Sequence, residues 1–505
     1  MVAVGIDLGT TFSAVAVVDL AGRPAILPNA DGEPTTPSVV YFDGEAPHVG
    51  LAAKRAATIA PQECVEFVKR HVGDPAWRFE TARGTAYTAE QISALILRRL
   101  ADDASAALGQ PCGEAVITVP AYFDDARRRA TADAGRIAGL DVLRVLNEPT
   151  AAALAFGYGA DRDETLLVYD LGGGTLDVTA VRIAGGEYTV LATAGDRNLG
   201  GFDFDNALMV YVNESVAAAG GPSLLDSDLL EAELRDRCEH AKRTLSALPE
   251  ATVALSVEGE RYQVEITRLT FERLTATLLR RTEEIVREVL AESGLRRGGL
   301  STALLVGGST RMPMVPAMLE RVTGVRADRS VHPDEAVALG AALHADALVR
   351  ARTGGPRPDT VRRPAVIHDV TSQGLGVVAR SAETGEQSNT VLIAPNTPIP
   401  CSGRRRYRTV AENQREILLV VTEGDDTELQ FVTVVGVARI AIPPQAVSVP
   451  IDVVISYDEE GMIHVAVVEV DTELPLGEFD IDRQANLDAR EVERMREALR
   501  ALTAR

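Results

Sequence analysis

The residues best placed to do chemistry lie in one short stretch. Positions 166–178 read Leu-Leu-Val-Tyr-Asp-Leu-Gly-Gly-Gly-Thr-Leu-Asp-Val. An apolar run with strand character ends in Asp170; Gly172, Gly173 and Gly174 follow, then Thr175 and Asp177. Glycines at such a turn tolerate positive φ and leave no Cβ between backbone and ligand. Their N–H groups can then line a concavity that accepts phosphate oxygens. Neighbouring carboxylates repel that anion unless a cation mediates, which predicts Mg2+. Taken alone, the glycine triplet favours a plain hairpin turn.

Repetition changes that balance. The chain opens Val2-Ala3-Val4-Gly5-Ile6-Asp7-Leu8-Gly9-Thr10-Thr11, again an apolar strand followed by Asp, Leu, Gly and Thr. Asp7 and Asp170 are 163 positions apart. Two like devices in successive halves predict a duplicated fold that closes on one nucleotide.

The surrounding pattern supplies elements to position them. Pro61–Val72 reads as a helix with Lys69 near its end, and Thr88 with Gln91 as a capping box before a helix through Leu108. A strand Ala115–Val119 stops at Pro120, Asp124 begins an Arg-rich helix, and Asn147-Glu148-Pro149-Thr150 opens another. Gly200-Gly201 forms a second glycine turn before a helix. The segment 226–248 is an amphipathic helix with a stripe of Leu230, Leu234, Cys238, Ala241, Leu245 and Leu248. Glu239, Lys242, Arg243 and Ser246 share its polar face, and spacing alone makes that a solvated face. A strand at 303–306 runs into Gly307-Gly308-Ser309-Thr310-Arg311, which suits close approach of a base or sugar. Pro333-Asp334-Glu335 starts a helix through Ala347.

Beyond residue 350 the composition shifts. Residues 351–365 are rich in Arg, Gly and Pro, as in a linker, and Val366-Ile367-His368-Asp369 completes it. Short β-type runs follow at 374–379, 389–394, 417–422, 430–435, 451–457 and 462–470, with a turn at 458–461, which predicts a compact all-β module. A final helix carries a stripe of Val492, Met495, Leu499 and Leu502, with Asp488 and Glu491 able to cap it. The boundaries so drawn are 1–350, a linker at 351–370, a β-module at 371–480 and a helix at 486–505.

Composition excludes several classes. The 505 residues carry a formal charge of −22, which repels nucleic acid. A hydrophobic content of 46% can fill sizeable cores. The four cysteines (Cys64, Cys112, Cys238 and Cys401) and seven histidines lack metal-site spacing. The N-terminus enters a strand directly, without the pattern of a signal peptide. No apolar run reaches the roughly 20 residues that span a bilayer. A cytoplasmic protein without membrane or nucleic-acid partners is expected.

These strings resemble the 70-kDa heat-shock chaperone family. Besides both glycine devices, the similar segments are Ile117–Phe123, Asp133–Leu140, Asn147–Leu154, Ala241–Ser246 and Val306–Pro313. The resemblance is strong across residues 1–350 and weaker beyond. It implies an α/β fold: a two-lobed ATPase of the actin/hexokinase type, a β-sandwich peptide-binding module and a short C-terminal helix, the remnant of a lid. It implies ATP hydrolysis with Mg2+ and K+. Asp7, Asp170 and Asp177 would hold hydrated cations; Gly9, Thr10, Thr11 and the Gly172–Thr175 turn would cradle phosphates. Lys69 would reach the terminal phosphate and help place the attacking water, near Glu148. Phe12, Gly200, Gly201 and Asp334 join the nucleotide set, and Glu239, Lys242, Arg243 and Ser246 would face the adenosine opposite Gly307, Gly308, Ser309 and Arg311. That turns the polar face of 226–248 from solvated surface into a binding surface. The implied partners are unfolded or extended peptides, a J-domain co-chaperone and a nucleotide-exchange factor, with Pro120 and Arg127 at coupling positions.

Departures from the family pattern carry information too. The segment 72–115 is short, Phe202 stands where an acid is usual, and the linker lacks its run of leucines, which weakens the expectation of docking. Arg404-Arg405-Arg406-Tyr407-Arg408 is unusually basic and reads as a solvated loop or as a cleft for acidic ligands. The competing readings are an actin-like scaffold or filament former, a sugar or acid kinase, and a nucleotide-sensing adaptor. The linker and β-module speak against filaments, and the long shared strings against a kinase.

Overall fold

The computed structural model describes residues 2–44, 46–158, 163–296, 298–354, 365–381, 384–458, 463–470, 473, 475–480 and 487–503. The two glycine devices are hairpins heading two similar sheets. In the first lobe Val2–Asp7 pairs antiparallel with Phe12–Val18 and parallel with Cys112–Val119, which pairs parallel with Asp141–Asn147. In the second, Glu164–Leu171 pairs antiparallel with Leu176–Ala184 and parallel with Thr302–Val306, which pairs parallel with Ala327–Asp328. A further antiparallel strand extends each, Pro24–Ile26 and Glu187–Asp196. Leu166, Leu167, Val168 and Tyr169 form an unbroken apolar run because the sheet is covered on both faces; all four are fully buried.

Two helices cross between the lobes. Glu148–Gly157 leaves the last strand of the first lobe, yet its alanines pack with Leu166, Val168 and Val181 of the second. Ala336–Thr353 leaves the second lobe, and its Ala338 and Ala342 pack with Ala14 and Ala16 of the first. They meet at Gly340, where a Cβ would lie 1.7 Å from the carbonyl oxygen of Ala151. Small side chains let the crossing close.

The C-terminal module is a sandwich of two four-stranded antiparallel sheets. One holds Gln387–Ile393, Leu375–Arg380, Gln414–Glu423 and Thr433–Gln445; the other holds Cys401–Arg408, Pro450–Tyr457, Ile463–Glu469 and Pro475–Asp480. Alternate residues such as Leu375, Val421, Ile455 and Val465 fill the space between them. The last helix, Ala489–Thr503, packs on the first lobe, where Val492 and Leu499 join the core beneath Ala89–Leu108 and Asp125–Ile137.

Several expectations change. Pro61–Val72 is not one helix: two short 3-10 turns, Pro61–Glu63 and Val68–His71, flank a strand Cys64–Val65 that pairs with Val40–Tyr41. A β-branched and aromatic stretch prefers that extended partner to a helix. The amphipathic helix is Asp228–Ala247, so Leu248 falls outside it and is 55% exposed. The helix expected to stop at Ala347 runs to Thr353, into the expected linker, and ends at Gly354 with φ 66°. Most of the linker, residues 355–364, most of the 458–461 turn, and 486, 504 and 505 lie outside the described residues. The linker's end does dock: Val366–His368 pairs in parallel with Glu187–Thr189 as an outer strand of the second-lobe sheet. A backbone ladder needs no run of leucines, and Ile367 supplies the apolar contact. The Nδ2 of Asn147 donates to Asp369 Oδ2 at 2.6 Å beside it. The arginine stretch is a strand, Cys401–Arg408, not a loop.

Candidate active site

A cleft of about 400 Å³ opens between the lobes, and residues from both line it. The hairpin tips meet at its floor. A Cβ on Gly173 would lie 2.3 Å from Thr11 Oγ1, and one on Gly174 would lie 2.5 Å from Thr10 Cγ2. Only glycine lets the two tips approach this closely. Gly307, at φ 81°, makes a similar approach: a Cβ there would lie 2.6 Å from Asp170 Oδ1.

The second-lobe turn is braced from behind. The Gly172 N–H donates to the Thr175 carbonyl at 3.1 Å, the Gly201 N–H to the Gly172 carbonyl at 3.0 Å and the Phe202 N–H to the Gly173 carbonyl at 2.8 Å. The Gly200 N–H donates to the Asp203 carboxylate at 2.8 Å. Gly200 and Gly201 therefore hold the turn in place from just behind the lining, where a Cβ on Gly201 would lie 2.6 Å from Ser309 Oγ of the cleft wall. Gly174 and Asp177 also sit behind the lining. Asp177 is 1% exposed and accepts the Tyr122 N–H at 3.0 Å.

Asp7 and Asp170 face the cleft beside Lys69 and Glu148. Lys69 is 4% exposed and its Nζ donates to Glu148 Oε1. Burial disfavours the Lys69 cation, but Glu148, Asp7 and Asp170 outweigh it and hold its pKa up. The acids respond the other way. Burial first, then the charge of Glu148, pushes Asp7 and Asp177 up to about 7 and Asp170 well above the usual carboxylate range. One lysine faces four acidic groups, so the floor is short of positive charge. A divalent cation fits that deficit. No three His, Cys, Asp or Glu side chains among the described residues converge closely enough to cage a metal directly. The donor set thus suits a cation that keeps its water shell, as Mg2+ does.

The other end of the cleft carries the polar face of Asp228–Ala247. Glu239, Lys242, Arg243 and Ser246 all line it, opposite Gly308, Ser309, Arg311 and Asp334. Lys242 is held by Asp205 at 2.7 Å and by the Gly201 carbonyl at 3.0 Å. Arg311 pairs with Asp334 at 2.6 Å. Glu239 accepts from Lys54 of the first lobe at 3.1 Å and from Arg243 at 2.6 Å, tying the lobes together.

Sequence reasoning missed Asp205, Phe67, Phe202 and Arg235 in this wall. Phe202 of the second lobe meets the Phe67 ring of the first edge-on, with centroids 4.6 Å apart. The guanidinium groups of Arg70 and Arg235 lie 4.6 and 4.5 Å from its centroid. Arg70 also donates across the cleft to the Gly174 carbonyl at 2.8 Å and to Asp203 at 2.6 Å. The signal was present in Gly201-Phe202-Asp203, where an aromatic replaces the acid.

A family model described as Hsp70 protein matches residues 3–80 and 76–505. Chaperone protein DnaK from each of two strains of Thermus thermophilus is 40% identical over 502 residues, covering 93% of this chain and 79% of the relative. Among the described residues no helix is long and apolar enough to cross a membrane. Duplicated lobes, a nucleotide-sized cleft with a lysine among buried acids, and a tethered β-sandwich place this chain in the Hsp70 family, the ATP-hydrolysing chaperones that use Mg2+ and bind unfolded polypeptides.

Proposed function

We propose that the cleft hydrolyses ATP by positioning and charge neutralisation, and that the cycle drives peptide binding in the sandwich. The observation that carries this is the Lys69–Glu148 pair at the junction of two glycine-tipped hairpins. Phosphoryl transfer asks little covalent work of a protein, so no Ser or Cys nucleophile is needed. Thr10, Thr11, Gly172, Gly173 and Thr175 cradle the phosphates. Lys69, held by Glu148, turns its remaining N–H donors to the terminal phosphoryl group, where charge builds as the bond to the leaving oxygen lengthens. Glu148 orients the water that attacks in line. Asp7 and Asp170, with Asp177 behind them, would hold Mg2+, which would supply neutralisation of the phosphate charge. K+ is the second ion. Arg243 and Arg311 both line the adenosine end, and a guanidinium plane stacks well on a base.

The functional units are the ATPase at 1–350, the linker at 351–370, the sandwich at 371–480 and the helix at 486–505. Support for coupling comes from the docked strand Val366–His368 and from Asn396, whose Oδ1 accepts the Thr193 N–H at 2.8 Å. A J-domain co-chaperone and a nucleotide-exchange factor are the partners such a cycle calls for, in the cytoplasm. The test is stopped-flow release of a labelled extended peptide from the full chain. ATP with Mg2+ and K+ is expected to speed release, with less effect when Na+ replaces K+. Release at the same rate with ADP and ATP would remove the coupling.

A further inference from the structure

The strand Cys401–Arg408 plays no part in the nucleotide chemistry. We propose that its open edge takes an extended peptide with acidic side chains at alternate positions, so that the module selects acidic segments; this rests on the peptide-binding reading above.

The strand is outermost in its sheet. One edge pairs with Pro450–Tyr457, and the other has no partner strand among the described residues. At Gly403 the neighbouring sheet passes close, since a Cβ there would lie 2.3 Å from the Leu392 carbonyl oxygen. Beyond it Arg404, Arg405, Arg406 and Arg408 are all exposed. Cys401 and Tyr407 pack with the sandwich core. By alternation Arg405 shares their face, while Arg404, Arg406 and Arg408 share the other.

Neutralisation of these cations is incomplete. Asp452, 2% exposed, accepts from Arg404 Nε at 2.7 Å and from Arg406 Nε at 2.9 Å. Hydrogen bonding by Arg406 leads the causes that hold its carboxyl below the usual range. Glu473 takes the other side of Arg404 at 3.1 Å. Arg408 donates to the Ser448 carbonyl at 2.8 Å. Arg405 and Arg408 have no carboxylate partner among the described residues. Among the described residues the carboxylates bonded here are Asp452 and Glu473, at Arg404 and Arg406, so Arg405 and Arg408 leave the edge positive in a chain whose formal charge is −22.

A peptide added there bonds through its backbone and sets alternate side chains beside the edge strand's own. Directly opposed side chains in such a pair sit about 4.5–5.5 Å apart. Glu or Asp at every second position then meets Arg404, Arg406 and Arg408, while the intervening residues face Arg405 and half-buried Tyr407. Edge cations also prevent strand-to-strand aggregation, and protection alone predicts no peptide preference.

The experiment is fluorescence anisotropy with the full chain in ADP and three labelled ten-residue peptides that alternate Val with Glu, Gln or Lys. Binding in the order Glu, Gln, Lys is expected, with Glu over Gln by about three- to tenfold at low salt, shrinking at 0.3 M salt. The R406Q/R408Q double variant, which removes two of the three cations on the acid-facing side and leaves Asp452 paired with Arg404, is expected to lose the Glu preference, and R406K/R408K to keep it. Equal affinity for all three peptides overturns this proposal and leaves peptide binding standing, as does a Glu preference that survives in R406Q/R408Q. No binding of any peptide overturns both.

Discussion

Removing Lys69 separates its two roles. Lys69 and Glu148 are 4% and 6% exposed and bonded to each other. Lys69→Met leaves Glu148 buried beside Asp7 and Asp170 with its cation gone. Breaking one side of such a pair costs about 3–5 kcal/mol, a large share of a domain's usual stability of about 5–15 kcal/mol. In the double variant Lys69→Met/Glu148→Gln no bare charge remains, and most of that loss is expected to return. Turnover is not. A preorganised donor aimed at developing charge is worth about 10²–10³ in rate, and the double variant has none there. Urea unfolding of the nucleotide-free protein, followed by circular dichroism, measures the first quantity. Single-turnover ATP hydrolysis at saturating Mg2+ measures the second, with nucleotide affinity changing less than rate. The reasoning fails if Lys69→Met unfolds within about 0.5 kcal/mol of the parent, or if the double variant hydrolyses ATP at the parent rate.

Phe202→Ala removes the ring between Arg70 and Arg235 and its contact with Phe67. At about 0.5–1.5 kcal/mol for each lost contact, release of a fluorescent ADP analogue is expected to speed about tenfold; an unchanged rate would show that the stack does not hold the lobes closed. Gly340→Ala sets a methyl 1.7 Å from the Ala151 carbonyl oxygen, so thermal unfolding is expected to report a loss of about 3 kcal/mol; a parent-like midpoint contradicts the crossing. Burial, helped by Arg144, pushes the His344 imidazole from 6.5 down to about 4. Below pH 6.5 the unfolded chain takes up this proton more readily than the native one, so stability is full above 6.5 and falls towards pH 4. The loss reaches about 2 kcal/mol at pH 5, and His344→Gln is expected to flatten that part of the profile.

What the sequence revealed was what local chemistry dictates. The strand-Asp-Gly turns were legible because close approach of two tips requires glycine, and Gly173 against Thr11 is such an approach. The capping box at Thr88 and Gln91 was legible because both reciprocal hydrogen bonds are local, and they form as read. Long-range partners decided the rest. Cys64–Val65 became a strand because Val40–Tyr41 offered an edge, which no local signal announces. The arginines of 404–408 looked solvated because their buried counter-charge, Asp452, lies over forty residues downstream. Lys242 looked like surface for the same reason, since Asp205 comes from another helix. Gly200 and Gly201 share the glycine signature of a phosphate cradle, but the Gly201 amide bonds the neighbouring turn and the Gly200 amide bonds Asp203. That distinction belongs to tertiary geometry.

The central claim is that buried carboxylates at the hairpin junction hold a hydrated Mg2+ against the phosphates. Asp170 faces that junction and its carboxyl is pushed well up, chiefly by burial. The most direct measurement is calorimetric ADP binding by Asp170→Asn, with Mg2+ and with EDTA. The account predicts that the variant loses the Mg2+-dependent gain in affinity, binds ADP in EDTA like the parent, and is more stable than the parent when empty because a strained charge is gone. Parent-like affinity for Mg2+-ADP would contradict it.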